Sequence, residues 1–510
     1  MSAPSELLTR AVAQRVLTPV RRQKINRDNA RISPLGLPIQ RDRRSGGPIA
    51  ALSRDYDDVC REAVDSGDIA ASLEAAGIND RAAREIYGVG SLFELADILH
   101  QLVPRRLSVW ERPRDPWQYP VSRHLRRGLL YALPTLPYLA ALRVLHGSVT
   151  GIATLLAGSV VALAATHGLS YAGHVMVGYG SFRSAARILL GGLLAAIVVG
   201  GAVAGLLMWQ GQLQRGPIAV AYVELVYVVA ATGLMVFERE TLLFFALVPA
   251  VGASVVALVR PNMPGSMLIC VFGLVAVCAT LTTLLAYFTV RRYVRIRKGG
   301  RTHLVPQEVR RAIAHASYGA ATAGLLMYAV VDSLIYKSDK PVSSNTLIGI
   351  GMLPLVMSLG ITEWNLHGFR SDTEKILHST HEFRRFATKV RWCLLRRVVA
   401  YGTVLIALTM LILVPLGAAG SLHTVLGLRH VAYDTLGLAL FLSTVLVSCG
   451  LIERTLMMLF ATLLVDTSLR VMVPDQLIQV TVLHCAVFAG LTLVLGVTAY
   501  RELSSPLRFR

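Results

Sequence analysis

An acidic residue inside an apolar stretch is the clearest chemical signal in this sequence of 510 residues. Glu224 lies in the middle of residues 217–236, which contain no Lys, Arg or His, and Tyr222 and Tyr227 flank it. An ionisable side chain within a membrane costs at least about 2.5 kcal/mol, so it requires a partner or a hydrated cavity. Two interpretations follow: a cavity-facing carboxylate that binds a proton or a cation, and a structural hydrogen bond to a neighbouring helix.

Other charged residues lie within or near apolar stretches. Asp466 and Arg470 are four residues apart and therefore on one helix face, which predicts an intrahelical salt bridge that neutralises both. Asp332 and Asp434 lie near the predicted outer ends of their stretches, where water can hydrate them. Asp332 is also a candidate residue for binding an ion or a substrate.

The histidines of the apolar stretches occur singly and lack the spacing of metal ligands. They are His146, His167, His174, His315 and His484. A lone histidine on an apolar helix is more often a satisfied interior group than a metal ligand, so we predict no metal and no cofactor. His315 and Tyr318 lie at the inner start of their stretch, where they are candidates for lining the mouth of a substrate pathway.

These residues belong to a succession of apolar stretches between residues 128 and 500. A helix needs about 20 apolar residues to cross the hydrocarbon layer. The pattern therefore predicts an all-α, polytopic membrane protein with about twelve transmembrane helices. The predicted spans are 128–147, 149–172, 187–209, 217–236, 241–260, 266–290, 312–336, 344–364, 398–418, 430–452, 455–473 and 480–500.

Positive charge in the joints between spans predicts their orientation, because Lys and Arg near helix ends are retained on the cytoplasmic side. The longer joints after spans two, six and eight are basic, whereas the odd-numbered joints carry little charge. We therefore predict a multi-pass protein of the cell inner (plasma) membrane, with both termini in the cytoplasm.

The composition agrees with this class of protein. Hydrophobic residues make up 54% of the chain, and the mean hydropathy of +0.54 is too high for an ordinary soluble protein. The net charge of +20 is concentrated in the joints and near the N-terminus, so anionic lipid headgroups, and not nucleic acid, are the predicted partner. The six cysteines show no CxxC spacing, which predicts neither disulfides nor a zinc site.

The region before the first span is predicted to have its own short helices. Residues 55–103 are acidic and show helical periodicity. The expected helix N-caps are Asp68 for one helix, Asn79 or Asp80 for the next, and Ser91 for a third.

The spans divide into two sets of six that resemble each other. Arg126-Arg127 enters span one as Arg310-Arg311 enters span seven, and the segment 154–170 of span two is in register with 346–362 of span eight. Repeated halves are frequent in transporters with a central binding site. The predicted segments are a disordered basic tail (1–54), a small acidic helical cytoplasmic module (55–103), a tether (104–127), a first transmembrane lobe (128–290), a basic cytoplasmic linker (291–311), a second transmembrane lobe (312–500) and a cytoplasmic tail (501–510).

Two links between spans carry a resemblance to a known superfamily. Segment 172–187 combines a small-residue helix end, a short polar turn and an Ala/Arg-rich helix start. It resembles the link between spans two and three of the multidrug/oligosaccharidyl-lipid/polysaccharide exporter (MOP) superfamily. Segment 363–370, followed by an amphipathic run, is similar to the corresponding region of PelG-type exopolysaccharide exporters.

The resemblance covers the topology of residues 126–500. It implies two six-helix lobes around a central cavity that opens alternately to each side of the membrane. The N-terminal module lies outside it and looks like an extension found on actinobacterial membrane proteins.

Residues 371–397 predict an amphipathic helix that lies on the inner leaflet, with Ile376, Phe386 and Val390 on its apolar face. Basic residues in this run and in the joint after span six are candidates for contact with anionic lipid or substrate. They are Arg295, Arg297, Lys298, Arg384, Arg385 and Lys389. Anchoring by the positive-inside rule explains these charges equally well.

The favoured hypothesis is a transporter or flippase, and not an enzyme, that exports a polysaccharide or a lipid-linked saccharide by alternating access. Its expected partners are membrane lipids, the saccharide substrate and a cytoplasmic glycosyltransferase. A membrane-embedded glycosyl- or acyltransferase is the first alternative, although the short external joints contain no acidic pair for catalysis. A non-transporting scaffold subunit of a polysaccharide synthase complex is the second.

Overall fold

The computed structural model describes residues 47–63, 65–103, 121–144, 149–211, 213–260, 264–294, 303–335, 351–380, 382–418, 424–473 and 477–505. Within these residues every regular element is a helix, and no strand occurs, which confirms the predicted all-α class. The described residues before 115 form one compact unit, and those from 121 onward form another. The predicted basic cluster Arg295, Arg297 and Lys298 lies outside the described residues.

The N-terminal unit consists of five short helices around a small apolar core. They are α1 (Pro48–Asp55), α2 (Asp57–Glu62), α3 (Ser66–Ala75), α4 (Asp80–Tyr87) and α5 (Leu92–Leu102). The side chains of Ile69, Leu73, Leu95 and Leu99 are fully buried in this core. Because α1 also contributes Leu52 to the core, the helices begin before the predicted start of the module at residue 55.

Side-chain caps begin three of these helices. The side chains of Asn79 and Ser91 accept hydrogen bonds from backbone N–H groups at 3.0 and 3.2 Å, which confirms them as N-caps of α4 and α5. The prediction for Asp68 is wrong, because Asp65 is the N-cap of α3 and accepts from the N–H of Asp68 at 3.1 Å. Asp68 lies in the first turn, where a carboxylate also interacts favourably with the helix dipole.

The second unit contains the apolar helices. In chain order they are α6 (Val121–Ala132), α7 (Thr135–Val144), α8 (Val149–Gly178), α9 (Phe182–Gln210), α10 (Arg215–Val236), α11 (Glu240–Val259), α12 (Gly265–Val294), α13 (Pro306–Leu326), α14 (Tyr328–Ile335), α15 (Leu359–Ser379), α16 (Phe383–Ala418), α17 (Thr424–Ser448), α18 (Ile452–Met472) and α19 (Leu477–Glu502). A further helical segment covers 351–357.

Nine of the described helices, α8–α12 and α16–α19, are long and apolar enough to cross a membrane. The predicted spans one, seven and eight each consist of shorter pieces: α6 with α7, α13 with α14, and 351–357 with α15. Pro134 lies at the first interruption, and proline removes a backbone donor and breaks the helical ladder. A multi-pass membrane protein is therefore confirmed, while the count of twelve spans stays a prediction.

The outer faces of these helices carry large exposed apolar side chains. Trp209 is 85% exposed, Phe245 70% and Val198 65%. Many large apolar side chains exposed in this way are unfavourable in water and match the hydrocarbon of a bilayer. Lipid is therefore the partner of these faces.

After the predicted division of the chain, we call helices α6–α12 the first lobe and α13–α19 the second lobe. Each begins with an interrupted helix, and α6 begins at Val121, within the predicted tether. They meet along a seam in which α8 packs against α13 and α6 packs against α15. Small residues allow the close approach: a Cβ on Gly360 would lie 2.7 Å from the Cα of Gly128, and one on Gly319 would lie 2.6 Å from the carbonyl oxygen of Leu163. We call the end of the lobes where α10 joins α11 and α15 joins α16 the inner end, in accordance with the predicted orientation.

The prediction of an amphipathic surface helix over 371–397 is wrong. Its first part ends α15, and the remainder begins α16, which continues into predicted span nine. Phe386 and Val390 pack in the core of the second lobe. Asp372 of α15 accepts hydrogen bonds from Arg396 and Arg397 of α16 at 2.7 and 2.6 Å, so these arginines join two packed helices.

Candidate functional site

A cavity of about 260 Å³ lies inside the first lobe. Residues from α7, α10, α11 and α12 line it, together with Pro134 between α6 and α7. Its walls are mainly apolar or aromatic and include Pro137, Tyr138, Val223, Tyr227, Leu247 and Phe272. Glu224 is the acidic residue of this lining. Concave, mostly apolar sites with few polar groups are typical of small-molecule binding sites.

Glu224 projects from α10 and is held by a residue of α8. The hydroxyl of Ser159, which is 1% exposed, lies 2.8 Å from Oε1 and 3.0 Å from Oε2 of Glu224. Among the described side chains, none forms an ion pair with this carboxylate. The hydrogen bond to a neighbouring helix and the cavity-facing carboxylate, which the sequence left as alternatives, thus occur together.

The second lobe contains a buried charge network, which we call the Asp332 network: Asp332, Asp466, Arg470 and His484. Nη1 of Arg470 lies 3.0 Å from Oδ1 of Asp332, and its Nη2 donates to Asp466 at 2.7 Å. His484 lies between the two carboxylates, with Nε2 2.9 Å from Asp332 and Nδ1 hydrogen-bonded to Asp466. The predicted pair Asp466–Arg470 is present, but it is part of a larger network that joins α14, α18 and α19.

The prediction that water hydrates Asp332 is wrong, because its side chain is fully buried. Sequence reasoning also treated His484 as an isolated histidine. Asp332, Asp466 and His484 all lie towards the predicted outer ends of spans seven, eleven and twelve. Their shared predicted depth in the membrane is the sequence signal that could have grouped these three residues.

The other predicted site residues lie elsewhere. His315 stacks on Tyr171 across the seam, with ring centroids 4.3 Å apart. Tyr318 is buried, and its hydroxyl lies 2.8 Å from Oγ of Ser443. Asp434, which was predicted to be hydrated and was not a candidate site residue, accepts a hydrogen bond from Thr409 at 2.8 Å. These contacts are structural, and binding roles for His315, Tyr318 and Asp332 stay predictions.

The basic residues at the start of α16 are exposed. Arg385 pairs with Glu382 at 3.0 Å, and Nζ of Lys389 donates to Oγ1 of Thr380 at 3.3 Å. With Arg384 they present positive charge at the inner end. Contact with anionic lipid or substrate stays a prediction.

A group of ion pairs at the inner end, which we call the seam cluster, joins the two lobes. It contains Arg123, Arg126, Arg127, Glu238, Glu240 and Glu363. Arg127 of α6 pairs with Glu240 of α11 in its own lobe and, at 2.6 Å, with Glu363 of α15 in the other lobe. Sequence reasoning missed this cluster, although its arginines start span one and two of its glutamates form the joint after span four, on the same predicted side of the membrane.

Comparison with known proteins identifies the fold. No family model matches the sequence, and no curated protein matches it. A solved structure of a MATE transporter in complex with Br-NRF is 15% identical and covers 77% of this chain and 97% of its own, with a TM-score of 0.51. An outward-facing multidrug resistance MATE family transporter of the MOP superfamily is 14% identical and covers 76% of this chain and 96% of its own, with a TM-score of 0.48.

The chain therefore has a fold similar to that of MATE transporters. This fold agrees with the polytopic helical architecture that the sequence resemblance implies, while membership of the MOP superfamily stays a prediction. The PelG-like subtype and the actinobacterial type of N-terminal extension stay predictions.

Proposed function

We propose that this chain is an alternating-access membrane transporter in which Glu224 binds a proton or a cation. The observation that carries the proposal is the position of Glu224 in the first-lobe cavity, with the Ser159 hydroxyl as its hydrogen-bond donor. The MATE-like fold supports this proposal, in which the two lobes move about the seam. The proposed location is the plasma membrane, with both termini in the cytoplasm.

The coupling follows from the cost of burying charge. In a dry cavity the charged carboxylate is disfavoured, so Glu224 retains a proton or a cation. When the cavity opens to water, hydration stabilises the free carboxylate. A change of access thus changes the affinity of Glu224 for its ion, which is the requirement for coupling.

Two classes of cargo have specific support. The similarity of segment 363–370 to PelG-type exporters favours a polysaccharide or a lipid-linked saccharide, supplied by a cytoplasmic glycosyltransferase. The apolar walls and single carboxylate of the cavity favour an amphiphilic cation, because few groups there can satisfy the hydroxyls of a sugar. The similarity of the fold to transporters disfavours the membrane-embedded transferase. Proton flux through the chain would exclude the non-transporting scaffold subunit.

The two classes of cargo predict different results in proteoliposomes that contain the purified chain and a pH-sensitive dye. We expect an imposed pH gradient to collapse faster when a cargo of the correct class is added, because each cargo molecule moves against a proton. Amphiphilic cations and an undecaprenyl-linked saccharide are compared in separate vesicles, with protein-free vesicles as the control. Absence of flux with both classes, from protein that retains its thermal unfolding transition, would contradict proton-coupled transport.

A further inference from the structure

Two histidines and a glutamate meet where the lobes touch at the inner end. His124 lies in α6 of the first lobe, whereas Glu363 and His367 lie in α15 of the second. Glu363 and His367 are four residues apart and share one face of their helix. One potential ligand atom from each of the three residues lies within 4.8 Å of the other two, and the imidazole centroids are 5.1 Å apart.

We propose that His124, Glu363 and His367 bind one divalent transition-metal ion, of the type of Zn²⁺, between the two lobes. Two imidazoles and one carboxylate form a donor set that zinc accepts, with a water molecule completing the tetrahedron. Zinc bonds of about 2.0–2.2 Å require neighbouring ligand atoms to be roughly 3.3 Å apart. The three ligand atoms, which lie within 4.8 Å of one another, would therefore have to move closer together on binding.

The ring of His367 is already oriented for metal binding. Its Nδ1 lies 2.8 Å from the backbone carbonyl oxygen of Glu363, and since a carbonyl only accepts, Nδ1 carries the proton. This hydrogen bond fixes the tautomer, so Nε2 is the ring nitrogen through which His367 would bind a metal ion. Both imidazoles are buried, with His124 3% and His367 4% exposed.

Glu363 provides an independent observation that points to a cation. Its Oε1 accepts a hydrogen bond from Nη1 of Arg127 at 2.6 Å. Its Oε2 is buried and has no hydrogen-bond partner among the described residues. Leaving a buried carboxylate oxygen unsatisfied is unfavourable, and a metal ion would satisfy it while Arg127 keeps its bond to Oε1.

The surrounding charges set limits on the site. The seam cluster contains three arginines and three glutamates and is therefore formally neutral. A bound dication adds positive charge beside these arginines, so we expect weaker binding than in a closed structural zinc site. Mg²⁺ prefers an octahedral shell of oxygen ligands and is not expected to bind.

Zinc titration of the purified full-length chain tests the site. The chain is prepared without a polyhistidine tag and stripped with a chelator, and Zn²⁺ is then titrated by calorimetry, with Mg²⁺ as a second probe. We expect saturable binding of one Zn²⁺ per chain. His124→Ala and His367→Ala should each weaken it more than ~10-fold, the smallest effect usual even for residues that only support a ligand.

His378→Ala is the matched control, because His378 lies on the same helix but is exposed; its binding should equal that of the parent. X-ray absorption of the Zn²⁺-loaded parent provides a reading that needs no variant, and we expect a nitrogen/oxygen shell with two imidazoles. Absence of saturable Zn²⁺ binding, equal affinity in a folded His367→Ala chain, or a shell without imidazole would each overturn the proposal.

A metal ion at this position would connect α6 and α15 and hold the inner end closed. This consequence rests on the proposed transport function, because it requires the lobes to separate at the inner end. Addition of Zn²⁺ should then slow transport by the parent. The transport rate of the His367→Ala variant should be the same with and without Zn²⁺. Zn²⁺ binding without inhibition would leave the site in place and contradict only this consequence.

Discussion

Replacing Arg470 by Leu is expected to destabilise the protein by about 3–5 kcal/mol, the cost typical of breaking a buried ion pair by removing one partner. Asp332 and Asp466 would then remain buried with only His484 between them. The desolvation cost of two carboxylates is no longer compensated when the guanidinium is absent. Unfolding of the purified chain in mixed micelles, followed by circular dichroism, measures the change in free energy.

Arg454→Leu is the matched control for this prediction. Arg454 lies on the same helix, but its ion pair with Glu502 is at the surface, with half of the arginine side chain exposed. Exposed pairs contribute about 0–1 kcal/mol, so this variant should unfold almost as the parent does. Equal stabilities of the Arg470→Leu and Arg454→Leu variants would show that the ion pairs of the Asp332 network do not stabilise the second lobe.

Replacing Glu224 by Gln is expected to reduce ion-coupled transport roughly 5- to 150-fold, the range typical of coupling between sites. Glutamine keeps the size of the side chain and can still hydrogen-bond to Ser159, so the fold should remain intact. It cannot exchange a proton, so the affinity for the ion no longer changes with access. The assay is the dye-monitored proton flux in proteoliposomes described above.

Asp434→Asn is a suitable control, because Asp434 is also a carboxylate that accepts a hydrogen bond from a hydroxyl, that of Thr409, but it lies in the second lobe and does not line the cavity. Its flux should remain close to that of the parent. If the Glu224→Gln variant transports as well as the parent across the pH range, Glu224 has no coupling role, and its function is limited to the hydrogen bond with Ser159.

Hydropathy and length predicted most of the helices, because the membrane requires long apolar segments whatever their partners are. They did not predict the interruptions at Pro134 and Met327, since a short break hardly changes the mean hydropathy of a window. The run 371–397 has an apolar face, but periodicity does not tell whether that face meets lipid or another helix. The packing of Phe386 and Val390 in the second lobe decides the question.

The polar sites were predicted less well than the helices. Glu224 was identified from its own stretch, because an isolated charge in an apolar segment is visible without knowledge of neighbours. The Asp332 network depends on which helices meet, and His484 has no partner within its own span. The seam cluster is hidden for the same reason, since Arg127 and Glu363 are far apart in the chain.

The seam at the inner end combines three features that the proposed movement of the lobes would require. Gly128 and Gly360 allow the helices to touch without interlocking side chains. Arg127 joins the lobes through charged groups that water could solvate if the lobes separated. His124, Glu363 and His367 form a small cluster that would respond to a metal ion. In the proposed transport cycle, this structure would be the state in which the inner end is closed.

Spin-label distances across the two ends of the lobes test alternating access most directly. The native cysteines are first replaced. Single cysteines are then introduced for labelling at the exposed positions of Arg239 and Phe383 at the inner end, and of Gln210 and Val471 at the opposite end. We predict two populations, in which the inner pair lengthens while the outer pair shortens, and a shift of these populations by pH that Glu224→Gln abolishes. A single population for both pairs that is unchanged between low and high pH would contradict alternating access coupled to Glu224.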